Sequence, residues 1–158
     1  MSGLPIYRTS IAPEWIDYNG HLRDAYYALI ASQAIDTLMD RIGLDASYRQ
    51  QSHCTLYTVE MHLHYLREIG GNDGVQVLLR ILGADEKRIH AALELVREQS
   101  GETAATCEMM LLHVCQSAPV RTTAFPQTVA AAIGEIRRET APMAPSGPGS
   151  RRMELLRR

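Results

Sequence analysis

The chain has 158 residues, of which 46% are hydrophobic and 22% are charged, and its formal net charge at pH 7 is −2. This length and composition are typical of one globular domain with its own hydrophobic core. The nearly balanced charge gives no reason to expect binding to nucleic acid or to an anionic membrane surface. No apolar run approaches the roughly 20 residues of a membrane-spanning helix, so no membrane segment is predicted.

The cysteines and the first residues of the chain indicate a cytoplasmic protein. Cys54, Cys107 and Cys115 are an odd number of thiols without a C-x-x-C spacing, which argues against a disulfide framework and suits a reducing compartment. The opening residues, MSGLPIYRTS, lack the basic start and the apolar run of a secretory signal. The expectation is a cytoplasmic location with free thiols.

The chain is predicted to begin with a short strand and a long helix. Residues 6–12, IYRTSIA, predict the strand, and residues 13–20 form a loop rich in turn-forming residues. From Asp24 to about Ile42, apolar residues recur at the spacing of one helix face, and Gly43 follows where helices commonly end. Asp24, just before the first apolar turn, is a candidate N-cap.

Four long strands follow, after a polar stretch at residues 45–51 that gives no clear prediction. The strongest pattern is LYTVEMHLHYLRE, which predicts a strand with one apolar face. That face consists of Tyr57, Val59, Met61, Leu63 and Tyr65. Three further strands are expected at residues 75–84, 88–98 and 103–115. Short turns between these segments favour antiparallel pairing.

A second helix and a tail complete the chain. Residues 126–139, PQTVAAAIGEIRRE, predict a helix with Pro126 at the first helical position. Residues 141–158 are rich in Pro, Gly and Arg and are expected to form a C-terminal tail outside a single domain at 1–140. The long first helix must bury its apolar side on the antiparallel strands. We therefore predict an α+β fold whose sheet wraps around a central helix, with a homo-oligomer covering the exposed edges.

Two segments carry a family resemblance. WIDYNGHLRDAYY, followed by a helix and by YTVEMHLHYLREI, resembles the hotdog-fold acyl-CoA thioesterases of the 4-hydroxybenzoyl-CoA thioesterase type. Asp17, Gly20 and His21 match that family's Asp-x-x-Gly-His turn, and the likeness runs through most of residues 6–138. Within the family, the segments DYNGHL, YTVEMHLHYLRE, LGADEKRIH and EMMLLHV look most like the betainyl-CoA thioesterases of bacterial carnitine degradation. The resemblance implies a hotdog fold, an acyl-CoA substrate, no cofactor, and a homodimer or homotetramer.

Asp17 has two interpretations. An Asp in a loop commonly caps a turn through its short acceptor side chain. Here Gly20 allows close backbone approach, and the helix start near Asp24 offers unpaired N–H groups and a positive dipole end. Thioester hydrolysis needs a nucleophile or base beside donors aimed at the carbonyl oxygen, so a catalytic Asp17 is favoured. Direct attack and activation of a water both stay open.

The remaining candidate catalytic groups lie next to Asp17. The backbone N–H groups of the turn at residues 20–24 and of the helix start are the expected donors to the thioester carbonyl, which places Gly20 in the site. His21 could act as an acid or base near neutral pH. A positioning role for His21, through a backbone hydrogen bond that anchors the loop, is favoured, and the resemblance supports it.

The predicted substrate site surrounds the same loop. Its residues are Trp15, Tyr18, Asn19, Arg23, Asp24, Tyr26, Tyr27 and Tyr57. Aromatic faces attract a quaternary ammonium group such as that of betaine, by about 0.5–2 kcal/mol per contact. Arg23 stands where the family commonly has Asn, a departure that bears on substrate specificity. The candidates for contact with the CoA phosphates are Arg67, Arg88, Arg151 and Arg152.

The sequence also bears on a metal site and on other reaction classes. His62 and His64 form an H-x-H pair about 6.5–7 Å apart, and Glu60 lies on the same strand face. No further ligand cluster is evident in the sequence, so no metal is predicted. There is no G-x-S-x-G motif and no Gly-rich phosphate loop. Three alternatives stay open, namely a thioesterase for another short or aromatic acyl-CoA, a non-catalytic acyl-CoA-binding hotdog protein, and a hotdog hydratase.

Overall fold

The structure is a computed structural model that describes residues 3–143. Its elements, in chain order, are β1 (Leu4–Ser10), a short 3-10 helix (Pro13–Trp15), α1 (Asp24–Arg41), α2 (Ala46–Ser52), β2 (Cys54–Tyr65), β3 (Gly74–Ala84), β4 (Arg88–Arg97), β5 (Thr103–Cys115), β6 (Arg121–Thr122) and α3 (Gln127–Thr140). Residues 144–158 of the predicted tail lie outside the described range. None of the helices in this range is long and apolar enough to cross a membrane.

The strands form one antiparallel sheet. Their order is β1-β3-β4-β5-β2, and β6 pairs with the end of β5. Short turns join β3 to β4 and β4 to β5, which confirms the predicted antiparallel pairing of these three strands. The expected pairing of β2 with β3 is wrong, because β2 pairs with β5 at the opposite edge and β3 pairs with β1 and β4. β1 and β2 are therefore the two edges of the sheet within residues 3–143.

α1 is the central helix, and the sheet curls around it. Its buried side includes Ile30, Ala34 and Leu38, which recur four residues apart and are fully buried. The facing side of β4 alternates in the same core through Ile89, Ala91, Leu93 and Leu95. Burial of one such Leu or Ile side chain is worth about 1.5–3 kcal/mol. The molecule has the predicted α+β hotdog fold.

Two local predictions are corrected, and one stretch without a prediction is assigned. Arg23, with extended backbone, is the N-cap of α1, whereas Asp24 is the first helical residue and accepts the N–H of Ala25 at 2.8 Å. Pro126 is the N-cap of α3 and not its first helical residue. The polar stretch without a prediction forms α2, because Asp45 caps it by accepting the N–H of Tyr48 at 2.8 Å.

β2 buries less of its apolar face than the alternation predicts. Tyr57, Val59 and Tyr65 are 39%, 54% and 54% exposed. A bulge after Thr58 shifts the pairing of β2 with β5, and β2 has no strand on its outer side in the part of the chain that the structure describes. The apolar side chains of this edge strand therefore have little to pack against within one copy of the chain.

His113 on β5 is a buried histidine that is held neutral. A carbonyl oxygen can only accept, so Nδ1 donates to the Thr123 carbonyl at 3.0 Å, and Nε2 is left to accept from the Tyr48 hydroxyl at 3.0 Å. The ring also stacks on Phe125, with 4.9 Å between the ring centroids. Burial lowers the pKa of His113, and the hydrogen bonds to the backbone of Thr123 and Ala124 offset part of that shift.

We expect the free energy of unfolding to fall as the pH drops below about 6.5, because the unfolded chain then binds a proton that folded His113 excludes. Stability is retained above that pH and is lost progressively toward the lowered pKa of the folded state. Urea unfolding at about pH 7.5, 6.5 and 5.5 measures this dependence. His113→Asn should lose less stability over the range, since Asn keeps a donor toward Thr123 without titrating. The matched control is His53→Asn at an exposed position, and equal slopes for wild type and His113→Asn would contradict the prediction.

Candidate active site

A cleft of about 590 Å³ opens beside the first turn of α1, a volume that suits a small-molecule site. Three segments form its walls, namely the loop before α1, the start of α1, and the end of β2 with the residues that follow it. The lining residues are Asp17, His21, Leu22, Asp24, Tyr27, Tyr65, Leu66, Arg67 and Glu68. The structure thus brings together Asp17, His21, Asp24 and Tyr27 from the predicted set.

Asp17 closes the turn that precedes α1. Its Oδ1 accepts the backbone N–H of Asn19 at 2.8 Å and that of His21 at 3.2 Å. Its own N–H donates to the His21 carbonyl at 2.8 Å, and the Gly20 N–H donates to the Asp17 carbonyl at 3.1 Å. Gly20 adopts a φ of +81°, a conformation that side chains disfavour. The capping interpretation of Asp17 is therefore correct, and it does not exclude chemistry, because the same carboxylate lines the cleft.

The environment of Asp17 favours its ionised form. Partial burial would raise the pKa of this carboxyl group, but hydrogen bonds from the backbones of His21 and Asn19 and from the Asn19 side chain outweigh that effect. The net pKa lies below the ordinary Asp value. Asp17 is thus a carboxylate at neutral pH, the form that a nucleophile or a general base requires.

Most of the expected carbonyl-polarising donors are engaged elsewhere, which narrows that prediction to the helix start. The backbone N–H groups of Gly20, His21, Leu22 and Arg23 all donate to oxygen atoms within the protein. The turn folds back on itself, and its Leu22 N–H reaches the Ile69 carbonyl at 2.8 Å. The first N–H of α1, that of Asp24, donates to no acceptor among residues 3–143 and belongs to a cleft-lining residue. A helix N-terminus carries unpaired N–H groups and partial positive charge, so the Asp24 N–H is the member of the predicted set that stays available beside the cleft.

His21 faces Glu68 at the rim of the cleft. The imidazole Nε2 lies 3.6 Å from the Glu68 carboxylate, and the backbone of His21 forms a bridge with Gly70. Both side chains are largely exposed, so the pair contributes little to stability. It does orient the imidazole toward residue 68.

Two tyrosines meet inside the cleft. The rings of Tyr27 and Tyr65 lie 5.1 Å apart at an angle of 85°. The Tyr65 hydroxyl donates to the Asp24 carbonyl at 3.2 Å, and the Tyr27 hydroxyl reaches the Arg67 carbonyl at 3.4 Å. Tyr65 is absent from the predicted site, although the alternation of β2 places it on the same apolar face as Tyr57, which was predicted to bind substrate. Its position at the last residue of that strand was the available signal.

The other predicted substrate-binding residues do not line this cleft. Trp15 and Tyr26 stack on each other, with ring centroids 5.2 Å apart, and pack against the core. Tyr18 is 93% exposed. Tyr57 lies toward the opposite end of β2, where its hydroxyl accepts from Gln116 at 3.1 Å. The residues that fall outside the lining are Trp15, Tyr18, Asn19, Gly20, Arg23, Tyr26 and Tyr57.

Of the four candidate CoA-binding arginines, the structure places one in the lining of the cleft. Arg67 lines the cleft. Arg88 does not, and it forms a forked ion pair with Asp85, with Nε 2.8 Å from the carboxylate. Arg151 and Arg152 lie outside the described residues. Within residues 3–143 no group of three or more His, Cys, Asp or Glu side chains could hold a metal ion, and His62 contacts Glu60 at 3.1 Å.

A half-buried ion pair supports the loop that carries Asp17. Asp73 accepts the Gly70 N–H at 2.9 Å and Nε of Arg97 at 3.0 Å through one carboxylate oxygen. The Asp73 side chain is 10% exposed. Because the turn that starts at Ile69 pairs with His21 and Leu22, this ion pair connects the end of β4 to the loop that carries Asp17.

Comparison with known proteins defines the class. Residues 11–133 match the model of the thioesterase-like superfamily, and the chain belongs to that family. Over 116 residues the chain is 47% identical to the betainyl-CoA thioesterase of Pseudomonas aeruginosa, a match that covers 73% of each protein. The predicted family is thereby confirmed.

Two solved structures agree with this assignment. A putative thioesterase from Pseudomonas putida KT2440 is 42% identical, with 98% of each chain covered and a TM-score of 0.82. A Staphylococcus aureus protein solved in complex with CoA is 30% identical, with 95% of this chain and 92% of that chain covered and a TM-score of 0.81. Both matches extend over almost the whole fold.

Proposed function

We propose that this protein hydrolyses betainyl-CoA to betaine and CoA, with Asp17 supplying the reactive carboxylate. The observation that carries the proposal is the cleft itself, which combines Asp17, the N-terminus of α1 and two tyrosine rings. The 47% identity to a betainyl-CoA thioesterase supports the acyl group. The CoA complex of the Staphylococcus aureus relative supports the thiol carrier.

The charges of the cleft favour a cationic acyl group. Asp17, Asp24 and Glu68 contribute three carboxylates to the lining, against the guanidinium of Arg67. A trimethylammonium group donates no conventional hydrogen bond, so it is recognised by ring faces and by nearby negative charge. Tyr27 and Tyr65, at nearly a right angle, offer such a corner. A neutral acyl group of the same shape gains nothing from the carboxylates.

The reaction needs few groups. The Asp24 N–H polarises the thioester carbonyl, a type of contact whose loss costs about 2.7–4 kcal/mol of barrier. Asp17 either attacks the carbonyl carbon, forming a mixed anhydride that water then cleaves, or removes a proton from an attacking water. In both routes the carbon–sulfur bond breaks and CoA leaves as the thiolate. His21, held near Glu68, positions the loop.

The proposal also covers the assembly, the location and the tail. The exposed Tyr57 and Val59 on edge strand β2 support a homodimer or homotetramer, because association would bury them. The three free thiols support a cytoplasmic location. We also propose that residues 1–140 form a single domain and that residues 141–158 form a separate tail.

The test compares betainyl-CoA with 3,3-dimethylbutanoyl-CoA, in which carbon replaces the ammonium nitrogen. Loss of thioester absorbance gives kcat/KM for each substrate, and we expect a preference of at least about tenfold for betainyl-CoA. Tyr65→Leu and Glu68→Gln should each reduce that preference, because they remove a ring face or a negative charge from the cleft. The matched control is Glu86→Gln, an exposed acid distant from the lining.

The outcomes separate the alternatives. Equal rates on the two substrates would discard cation recognition and leave a thioesterase for another acyl group. Absence of hydrolysis with any acyl-CoA by folded protein would discard the enzyme and favour a non-catalytic acyl-CoA binder. Hydration of an enoyl-CoA in place of thioester cleavage would favour the hydratase.

A further inference from the structure

Two cysteines face each other across the sheet, far from the cleft. Cys54 is the first residue of β2, Cys115 is the last residue of β5, and they are direct partners in the antiparallel pairing. The Gln116 N–H donates to the His53 carbonyl at 2.8 Å, one residue outside the pair. Cys54 and Cys115 therefore exchange no backbone hydrogen bond with each other and lie at a non-hydrogen-bonded position of the ladder. At such non-hydrogen-bonded positions the Cα atoms are about 4.5 Å apart and the side chains approach most closely. That spacing falls within the range of about 4.4–6.8 Å found across disulfides.

The surroundings of Cys115 favour its thiolate. Hydrogen bonds from the side chain and backbone of Ser117 lower the pKa of Cys115, and the Cys54 thiol and the charge of Arg121 add to this against the effect of burial. Arg121 is the partner of Cys115 on β6, opposite Cys54. Since the thiolate is the attacking species in thiol–disulfide exchange, Cys115 is equipped to react first.

Cys107 provides an internal contrast. It lies on the same strand but is 1% exposed, and burial raises its pKa to about 12. Its partner across β2 is Leu63, and its partner across β4 is Leu93. Cys54 and Cys115 are themselves 9% and 8% exposed. Cys107 is more deeply buried and has no thiol as a pairing partner on either neighbouring strand, so it should remain reduced where the other two react.

We propose that Cys54 and Cys115 form a reversible cross-strand disulfide and are a modification site for oxidised low-molecular-weight thiols. The Cys115 thiolate attacks one sulfur of a small disulfide and releases its other half as a thiolate. Cys54, after losing its proton to solvent, attacks the Cys115 sulfur and releases the second half. Two protein thiols are oxidised, and one small disulfide is reduced to two thiols.

The bond would act on the edge of the sheet and not on the cleft. Tyr65 lines the cleft at one end of β2, and Cys54 lies at the other end, eleven residues away. A link there ties the first residues of β2 to β5, next to the exposed Tyr57. In a reducing compartment such a bond is transient, which suits a redox-responsive modification.

The experiment treats the native protein with millimolar oxidised glutathione, blocks the remaining thiols after acid quenching, and measures intact mass and peptide links. We expect the count of titratable thiols to fall from three to one, with loss of two hydrogens, a Cys54–Cys115 peptide link, and full reversal by dithiothreitol. Cys107→Ser is the matched control and should form the same link. Cys54→Ser should stop at the first step and carry one glutathione on Cys115.

Three results would overturn the proposal. The first is retention of all three thiols in folded wild type under these conditions. The second is a wild type that carries glutathione adducts without the Cys54–Cys115 link. The third is a cross-link between two copies of the chain, seen as a dimer on a non-reducing gel.

Discussion

Replacing Asp17 with Asn should lower kcat/KM for thioester hydrolysis by about 10³-fold and leave the fold intact. The Asn side-chain oxygen can accept the same backbone N–H groups of Asn19 and His21 that Oδ1 of Asp17 accepts. It cannot act as a nucleophile toward a thioester or as a general base. Steady-state rates on betainyl-CoA measure the loss, and the thermal unfolding midpoint shows that the turn has survived.

The controls for this substitution separate chemistry from loop structure. Asp36→Asn, on the exposed face of α1, removes an acid distant from the cleft and should keep the wild-type rate. Asp17→Ala removes both the carboxylate and the turn acceptor, so it should also lower stability. If Asp17→Asn kept more than about a tenth of the activity, Asp17 would be a turn residue without a chemical role.

The pH dependence of the rate carries the same information. Because the pKa of Asp17 is lowered in the folded protein, its carboxylate stays ionised into acidic solution. The ordinary pKa of an Asp side chain is about 3.9. Protonation of Asp17 should therefore reduce kcat/KM only at a pH below that value.

Replacing Asp73 with Ala should lower the free energy of unfolding by about 2–3 kcal/mol. The substitution leaves the Gly70 N–H without its acceptor and deprives Arg97 of a partner at 3.0 Å. Arg97 then retains a longer contact with Glu102, at 3.7 Å. The turn at residue 70 also loosens where it meets His21, so kcat should fall as well. Urea unfolding and steady-state kinetics measure the two effects.

Two companion variants sharpen the result for Asp73. Asp73→Asn keeps an acceptor for Gly70 but loses the charge, and it should lie between wild type and Asp73→Ala in both measurements. Glu98→Ala breaks an exposed ion pair with Arg8, at 3.4 Å, and should cost less than about 1 kcal/mol. Equal losses in the free energy of unfolding for Glu98→Ala and Asp73→Ala would show that the ion pair between Asp73 and Arg97 stabilises the protein no more than an exposed pair does.

The sequence predicted the central helix and the long strands because their signals are local. The buried face of α1 and the alternation of β4 appear in any short window of the sequence. α2 was missed because it is one short helix whose start depends on the Asp45 side chain and not on apolar periodicity. The turn around Asp17 was recognised from its residue types and from the family resemblance.

The composition of the cleft depended on contacts that sequence patterns do not contain. Tyr57 and Tyr65 occupy the same face of one strand in the sequence pattern, and their distance from the start of α1 decides which of them lines the cleft. The engagement of the Leu22 N–H depends on Ile69, a residue far along the chain. Such pairings arise when the loop closes onto the sheet, so local rules could not assign the donors.

That closure has a consequence for binding. Each N–H from Gly20 to Arg23 already has a partner inside the protein, so the turn that holds Asp17 keeps its shape before substrate arrives. A rigid turn of this kind is preorganised, and little of the binding energy is spent on ordering it. Affinity for the acyl group can then be set by the tyrosine and carboxylate side chains of the cleft, independently of the geometry that sets the rate.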